Sequence, residues 1–161
     1  MRGRSAAHST RAESGQGSAT EKGIDPLEVV EARLAPDMLP FRFQIVSVAQ
    51  HSRGAMEAAK NGVFVPPSAK PDLDYAALQA LLTEARNDLL ALTPEAVNVL
   101  VGRDVTFKVG DRALPFTVEG FLMSFSLANF FFHATTAYDI LRQKGAPLGK
   151  RDFIGKLKLK G

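Results

Sequence analysis

The stretch FLMSFSLANFFF (residues 121–132) carries no charge and holds five of the chain's eleven phenylalanines. Fully burying one Phe is worth about 1.5–3 kcal/mol, so this segment is expected to be the core of the fold. Thr117 stands where an N-cap belongs, and Gly145 where a helix closes in the left-handed conformation. One long helix between them, ending near Lys144, is the element around which the rest must pack.

That helix is not apolar all round. Ser126, Asn129, His133 and Thr136 fall at offsets −7, −4, 0 and +3 on one stripe. A buried polar group left unpaired costs about 1–3 kcal/mol, so the stripe must meet partners. The second long helix, expected from about Phe41 to Lys60 with Asn61-Gly62 as its stop, offers them. At 100° per residue Gln44, Ser47, Ala55 and Ala58 lie within about 40° of His51. Phe41, Ile45, Val48, Met56 and Ala59 run alongside, while Arg42, Arg53 and Lys60 point to water.

Gln44, Ser47, His51, Ser126, Asn129, His133 and Thr136 therefore form one candidate pocket between facing helices. Two readings stay open. In the first, the groups satisfy one another as a structural network, with Asn129 and His133 paired together or with Gln44 and His51. In the second, they line a small-ligand or metal pocket, a common use of the space between bundle helices. An i, i+4 pair sets two donors on one helix face, and a third from a neighbour closes a metal triad. Asparagine is a poor transition-metal ligand, and the chain has three histidines, one of them at position 8. Ser124 or Ser126 beside His133 is too local for a nucleophile–base–orienter triad.

The remaining elements are read from their punctuation. Asp25-Pro26-Leu27-Glu28 opens a short helix expected to reach Leu34 before Pro36. VPPSAKP (65–71) is a loop, Asp72 or Asp74 caps a helix to about Leu92, and Thr93-Pro94-Glu95 starts a further helical turn. Val105, Phe107 and Val109 alternate up to Gly110-Asp111, with Leu114 and Phe116 beyond, which predicts a small hairpin. The fold class is mainly α, with that hairpin inserted before the last helix. Residues 141–155 read as helix end, Gly cap and ordered loop, in which Asp152 pairs with Lys150 or Arg151.

Charge locates the ends. Residues 1–22 carry four basic groups against Glu13 and Glu21, and residues 150–161 carry five against Asp152. The net +3 thus belongs to the two ends around a body of −3, which argues against a folded basic face and makes nucleic acid an unlikely partner. Met1 and four alanines are the only apolar residues of the first 22, too few to offset backbone ordering of about 1–2 kcal/mol per residue, so 1–22 is expected to be a disordered leader. Its early Arg and Ser resemble a transit peptide, yet no Leu or Phe supplies an amphipathic face. It has no apolar h-region, and a cytoplasmic location is expected. Residues 23–155 are the helical domain, and 156–161 (KLKLKG) a basic tail whose alternation suits an edge strand or a membrane-surface contact. No cysteine is present, which excludes disulfides, thiolate zinc sites and a cysteine nucleophile. No run reaches the ~18 apolar residues of a spanning helix, and no phosphate-binding glycine loop, HExxH or EF-hand loop occurs.

ANFFFHATTAYDILRQKGAPLGKRDFIG (128–155) resembles the signature of the family catalogued as domain of unknown function nineteen ninety-three. GIDPLEVVEARLAPDMLPFRFQI (23–45) resembles that family's entry segment, and the likeness covers about residues 21–155. The family is similar to the DinB/YfiT-like superfamily of up-down four-helix bundles, many of which bind a divalent metal such as zinc or nickel through three histidines. Some relatives there are thiol-dependent transferases or isomerases. The resemblance implies one ligand from the second helix and two, spaced HxxxH, from the last. In NFFFH, Asn129 stands in the first of those places and His133 in the second, with His51 the candidate third member. It also implies an amphipathic first helix where this chain has its polar leader, so that helix is expected to be missing or replaced. Either a second subunit covers the exposed surface, giving a homodimer, or the chain start is a truncated or misassigned form. The functions in view are a small-ligand-binding or self-associating bundle without established catalysis and a metal-dependent enzyme on His51, Asn129 and His133.

Overall fold

Three long helices pack side by side, with a small sheet closing one end. A computed structural model describes residues 23–160; the expectations placed on residues 1–22, including the leader and the replaced first helix, lie outside them. The short helix α1 (Pro26–Glu31) starts where Asp25 accepts from the Leu27 amide at 2.9 Å. It stops at Glu31 rather than reaching Leu34, because Ala32 turns extended and its carbonyl takes the Phe41 amide at 2.8 Å. That bond aims the chain straight into α2, which comprises Phe41–Ala49, a π-helical stretch Gln50–Gly54 and Ala55–Asn61. Gly62 closes it at φ +82, a conformation costly for any side chain.

Helix α3 (Tyr75–Leu90) is capped by Asp74, not Asp72, and α4 (Pro94–Asn98) by Thr93. The expected hairpin is β2 (Asp104–Val109) with β3 (Arg112–Thr117), Phe107 opposite Leu114 and Val105 opposite Phe116. A two-residue strand not foreseen in the sequence, β1 (Val63–Phe64), pairs parallel to β2 and makes the sheet three-stranded. Helix α5 follows from the Thr117 cap as Val118–Gly120, a second π-helical stretch Phe121–Ser126 and Leu127–Gln143. The segment expected as a loop near the end contains a short helix, α6 (Lys150–Ile154). There Asp152 accepts from the Gly149 amide at 2.7 Å, so its carboxylate caps the helix and does not pair with Lys150 or Arg151 as expected.

Two separate apolar clusters hold the bundle. Val29, Val30, Phe41, Ile45, Leu78, Ala137 and Ile140 form one, where α2 meets α1, α3 and the end of α5. Ala55, Ala58, Ala59, Phe64, Leu100, Val105, Val118 and Phe121 form the other, against the sheet. The 121–132 run is only partly core. Phe121 is fully buried, but Met123, Leu127, Phe131 and Phe132 are exposed at 69, 40, 50 and 56%. A helix packed on one side can hide one stripe only, and here the stripe carrying Ile140 and Ala137 is the hidden one.

Candidate functional site

The gap between the two clusters is where the polar residues lie. On α2, Gln44 lies beside Ile45 at the edge of the first cluster, and Ser47 and His51 lie between Ile45 and Ala55, the residues of the two clusters. On α5 the sheet-side cluster extends to Phe125 and the other resumes at Ala137, leaving Ser126, Asn129 and His133 between. Gln44, Ser47, Ser126 and Thr136 are the buried polar side chains of the described residues. His51 and His133 are half-buried.

Four residues meet across the helices. The Nδ1–H of His133 donates to Oε1 of Gln44 at 2.8 Å, and the Gln44 amide donates to the Leu39 carbonyl at 2.8 Å. A carbonyl only accepts, so the second bond fixes the Gln44 amide with its oxygen toward His133 and requires the proton on Nδ1. The same logic settles His51. The Ser126 hydroxyl donates to the His51 carbonyl at 2.9 Å, which leaves its oxygen to accept from Nδ1–H of His51 at 3.4 Å.

The two imidazoles stack with centroids 5.8 Å apart and planes 16° from parallel. Burial lowers the His51 pKa to about 4, with the nearby His133 adding to the effect, and burial lowers that of His133. Both rings are therefore neutral at pH 7, and with each Nδ1 protonated, each Nε2 keeps its lone pair. No hydrogen bond among the described residues uses either Nε2. Aromatic rings wall the pair: Phe64 and Phe125 against His51 at 5.1 and 5.6 Å, Phe43 and Phe132 against His133 at 5.7 and 5.2 Å.

The other expected members do not join. Asn129 donates to the Phe125 carbonyl at 2.8 Å, and Thr136 to the Phe132 carbonyl at 2.8 Å, each within its own helix. Asn129 and His133 do not pair with each other for this reason, and of the pairings expected it is His133 with Gln44 that forms. Ser47 is the one buried side-chain oxygen among the described residues without a partner. His51 and Ser126 each lie inside a π-helical stretch, a widening of the helix common at functional sites. The aromatic wall and both π stretches escaped the sequence reading. Val63-Phe64 between Asn61-Gly62 and Pro66-Pro67 was the signal available for Phe64.

Among the described residues no three His, Cys, Asp or Glu side chains gather closely enough to hold a metal ion. No helix among them is long and apolar enough to cross a membrane.

Comparison with known proteins sets this geometry in a family. The model described as Domain of unknown function (DUF1993) matches residues 6–154. The chain belongs to that family. Its DUF1993 match runs from residue 6, into the segment before the described fold. No match was found among curated proteins. Among solved structures, a DinB family member protein from Shewanella denitrificans aligns with a TM-score of 0.70 at 20% identity, covering 91% of this chain and 82% of that one. At that identity the likeness speaks for the fold. This DUF1993 chain is mainly helical, with a fold like that of the DinB family member, as its sequence led one to expect.

Proposed function

We propose that this DUF1993 protein binds a small molecule carrying hydrogen-bond donors, held between α2 and α5. The observation that supports this reading is the pair of stacked neutral imidazoles whose Nδ1–H groups are engaged and whose Nε2 lone pairs are not. Two acceptors beside four phenylalanine rings suit an alcohol, phenol or amine, with the rings taking its apolar part. Gln44 and Ser126 then serve to hold the tautomers, and the unpartnered Ser47 hydroxyl on the same helix face is a further polar contact. The test is a fragment screen of phenols, alcohols and alkylamines read by imidazole NMR signals. Fragments should shift the His51 and His133 resonances, and His133→Phe should abolish the effect. A screen that moves neither histidine sinks the reading.

The divalent-metal reading, zinc or nickel on His51, Asn129 and His133, draws support from the same two lone pairs, because imidazoles held through Nδ1 are oriented as metal ligands usually are. The donor set does not fit a three-donor centre. The Asn129 amide is engaged with its own helix, and its oxygen is a neutral donor better suited to hard cations. Stoichiometric zinc or nickel in untagged protein, lost in His133→Ala, would replace the first reading.

Self-association is favoured by a separate observation. Met123, Leu127 and Phe131, spaced four apart on α5, are exposed at 69, 40 and 50%. Such a ridge suits a second copy of the chain in a homodimer. Sedimentation should give a dimer that Phe131→Glu dissociates; a wild-type monomer at micromolar concentration would remove the idea.

A further inference from the structure

The segment after α5 carries a surface of a different kind. Residues 150–160 hold Lys150, Arg151, Lys156, Lys158 and Lys160 against Asp152, a balance of +4. Residues 23–149 carry 11 basic and 14 acidic groups, a balance of −3, so the segment is a cationic pole on a mildly acidic body. None of the five cations takes part in an ion pair among the described residues. Asp152 is engaged with the Gly149 amide at 2.7 Å.

The same eleven residues expose their apolar side chains. Phe153, Ile154, Leu157 and Leu159 are 41, 50, 62 and 81% accessible. Along 156–160 lysine and leucine alternate, so an extended chain sets both leucines on one side and three lysines on the other. The segment is tied to the bundle at its base, where Phe153 meets Tyr138 edge-on at 5.7 Å. Chemistry and exposure thus coincide at one end of the molecule.

We propose that residues 150–160 form a docking surface for an anionic membrane. An anionic bilayer attracts the cations within a Debye length of its surface. Its headgroup–acyl boundary receives the leucines, Ile154 and the open edge of Phe153, while the lysine stems reach back to the phosphates. A nucleic acid would meet the charge but leave four apolar side chains in water. A second copy would bring +4 against +4. The occupant that satisfies both halves of the pattern is the lipid surface, and the contact is peripheral.

The full chain should co-sediment with phosphatidylcholine vesicles containing about 30% phosphatidylglycerol at low salt, and release as salt rises. Pure phosphatidylcholine should retain at least tenfold less. Replacing Lys156, Lys158 and Lys160 together with Gln should weaken binding about a hundredfold, about fivefold per lysine. Leu157→Ser with Leu159→Ser should weaken it at least tenfold while preserving salt sensitivity. All five positions are exposed, and unchanged thermal melts of these variants would show the fold intact. Failure of the full chain to bind the anionic vesicles overturns the proposal. So does binding indifferent to the leucine changes, or tighter binding to duplex DNA that depends on the lysines alone.

Discussion

The imidazole of His133 and the amide of Gln44 are joined by a 2.8 Å bond that crosses from α5 to α2 in the gap between the two apolar clusters. Gln44 is 2% exposed and is itself held by the Leu39 carbonyl at the entry to its helix. The orientation of His133 is therefore inherited from a backbone carbonyl through one buried amide.

Removing that amide should be costly. Gln44→Ala strands the Nδ1–H of His133 and the Leu39 carbonyl, and each unsatisfied buried group costs about 1–3 kcal/mol. A loss of about 2 kcal/mol or more in urea denaturation is expected. Gln44→Glu places a carboxylate at the ring instead, and NMR titration should then show the His133 pKa rising from its lowered position.

Acid should act on the histidine pair in a defined direction. His51 has a folded-state pKa of about 4 against 6.5 unfolded, so between those values the unfolded chain binds more protons than the folded one. Stability is then fully present above pH 6.5 and falls as pH drops toward 4, with His133 contributing in the same sense. Chemical denaturation at pH 7.5, 6, 5 and 4.5 checks this, using about the window set by the two values. A variant carrying His51→Gln and His133→Gln should show a shallower decline. Equal slopes would place the acid response elsewhere.

Ser47 offers the opposite expectation. Its hydroxyl is buried without a partner in the free protein, so Ser47→Ala should leave the melting temperature unchanged or raise it. A loss of more than about 1 kcal/mol would mean the hydroxyl has a partner such as an ordered water. In the ligand-binding reading the same substitution weakens fragment binding, so stability and affinity should move apart.

Local chemistry made much of this fold readable. Asp25, Thr93 and Thr117 cap the helices they precede, and Gly62 and Gly145 end theirs at positive φ, because caps need only near neighbours. The hairpin was legible from alternation. Strand β1 was not, since two residues make no pattern and the partner of Phe64 is Phe107, far along the chain. The polar stripe was legible from helical spacing, but its bonding was not. Asn129 and Thr136 turn to their own helix while Ser126 crosses to His51, a choice made by the distance between helices. The π stretches follow from no residue type and shift the face presented on either side of them.

Phe64 and Phe131 differ in environment, in the reverse of the order that their sequence contexts suggest. Phe64 is 1% exposed and touches the rings of His51, Phe107, Phe121 and Phe125 at 5.1, 6.0, 5.1 and 6.2 Å. Phe64→Ala empties that position and should cost about 3–5 kcal/mol. Phe131 lies in the apolar run that looked most like core, yet half of its surface is open. Phe131→Ala should cost about 1 kcal/mol in the isolated chain, because only about half of the side chain's area is buried. If the chain self-associates through α5, the Phe131 cost should grow with protein concentration while that of Phe64 does not. Denaturation of both variants at two concentrations therefore separates a core role from an interface role, and comparable losses at low concentration would place Phe131 in the core after all.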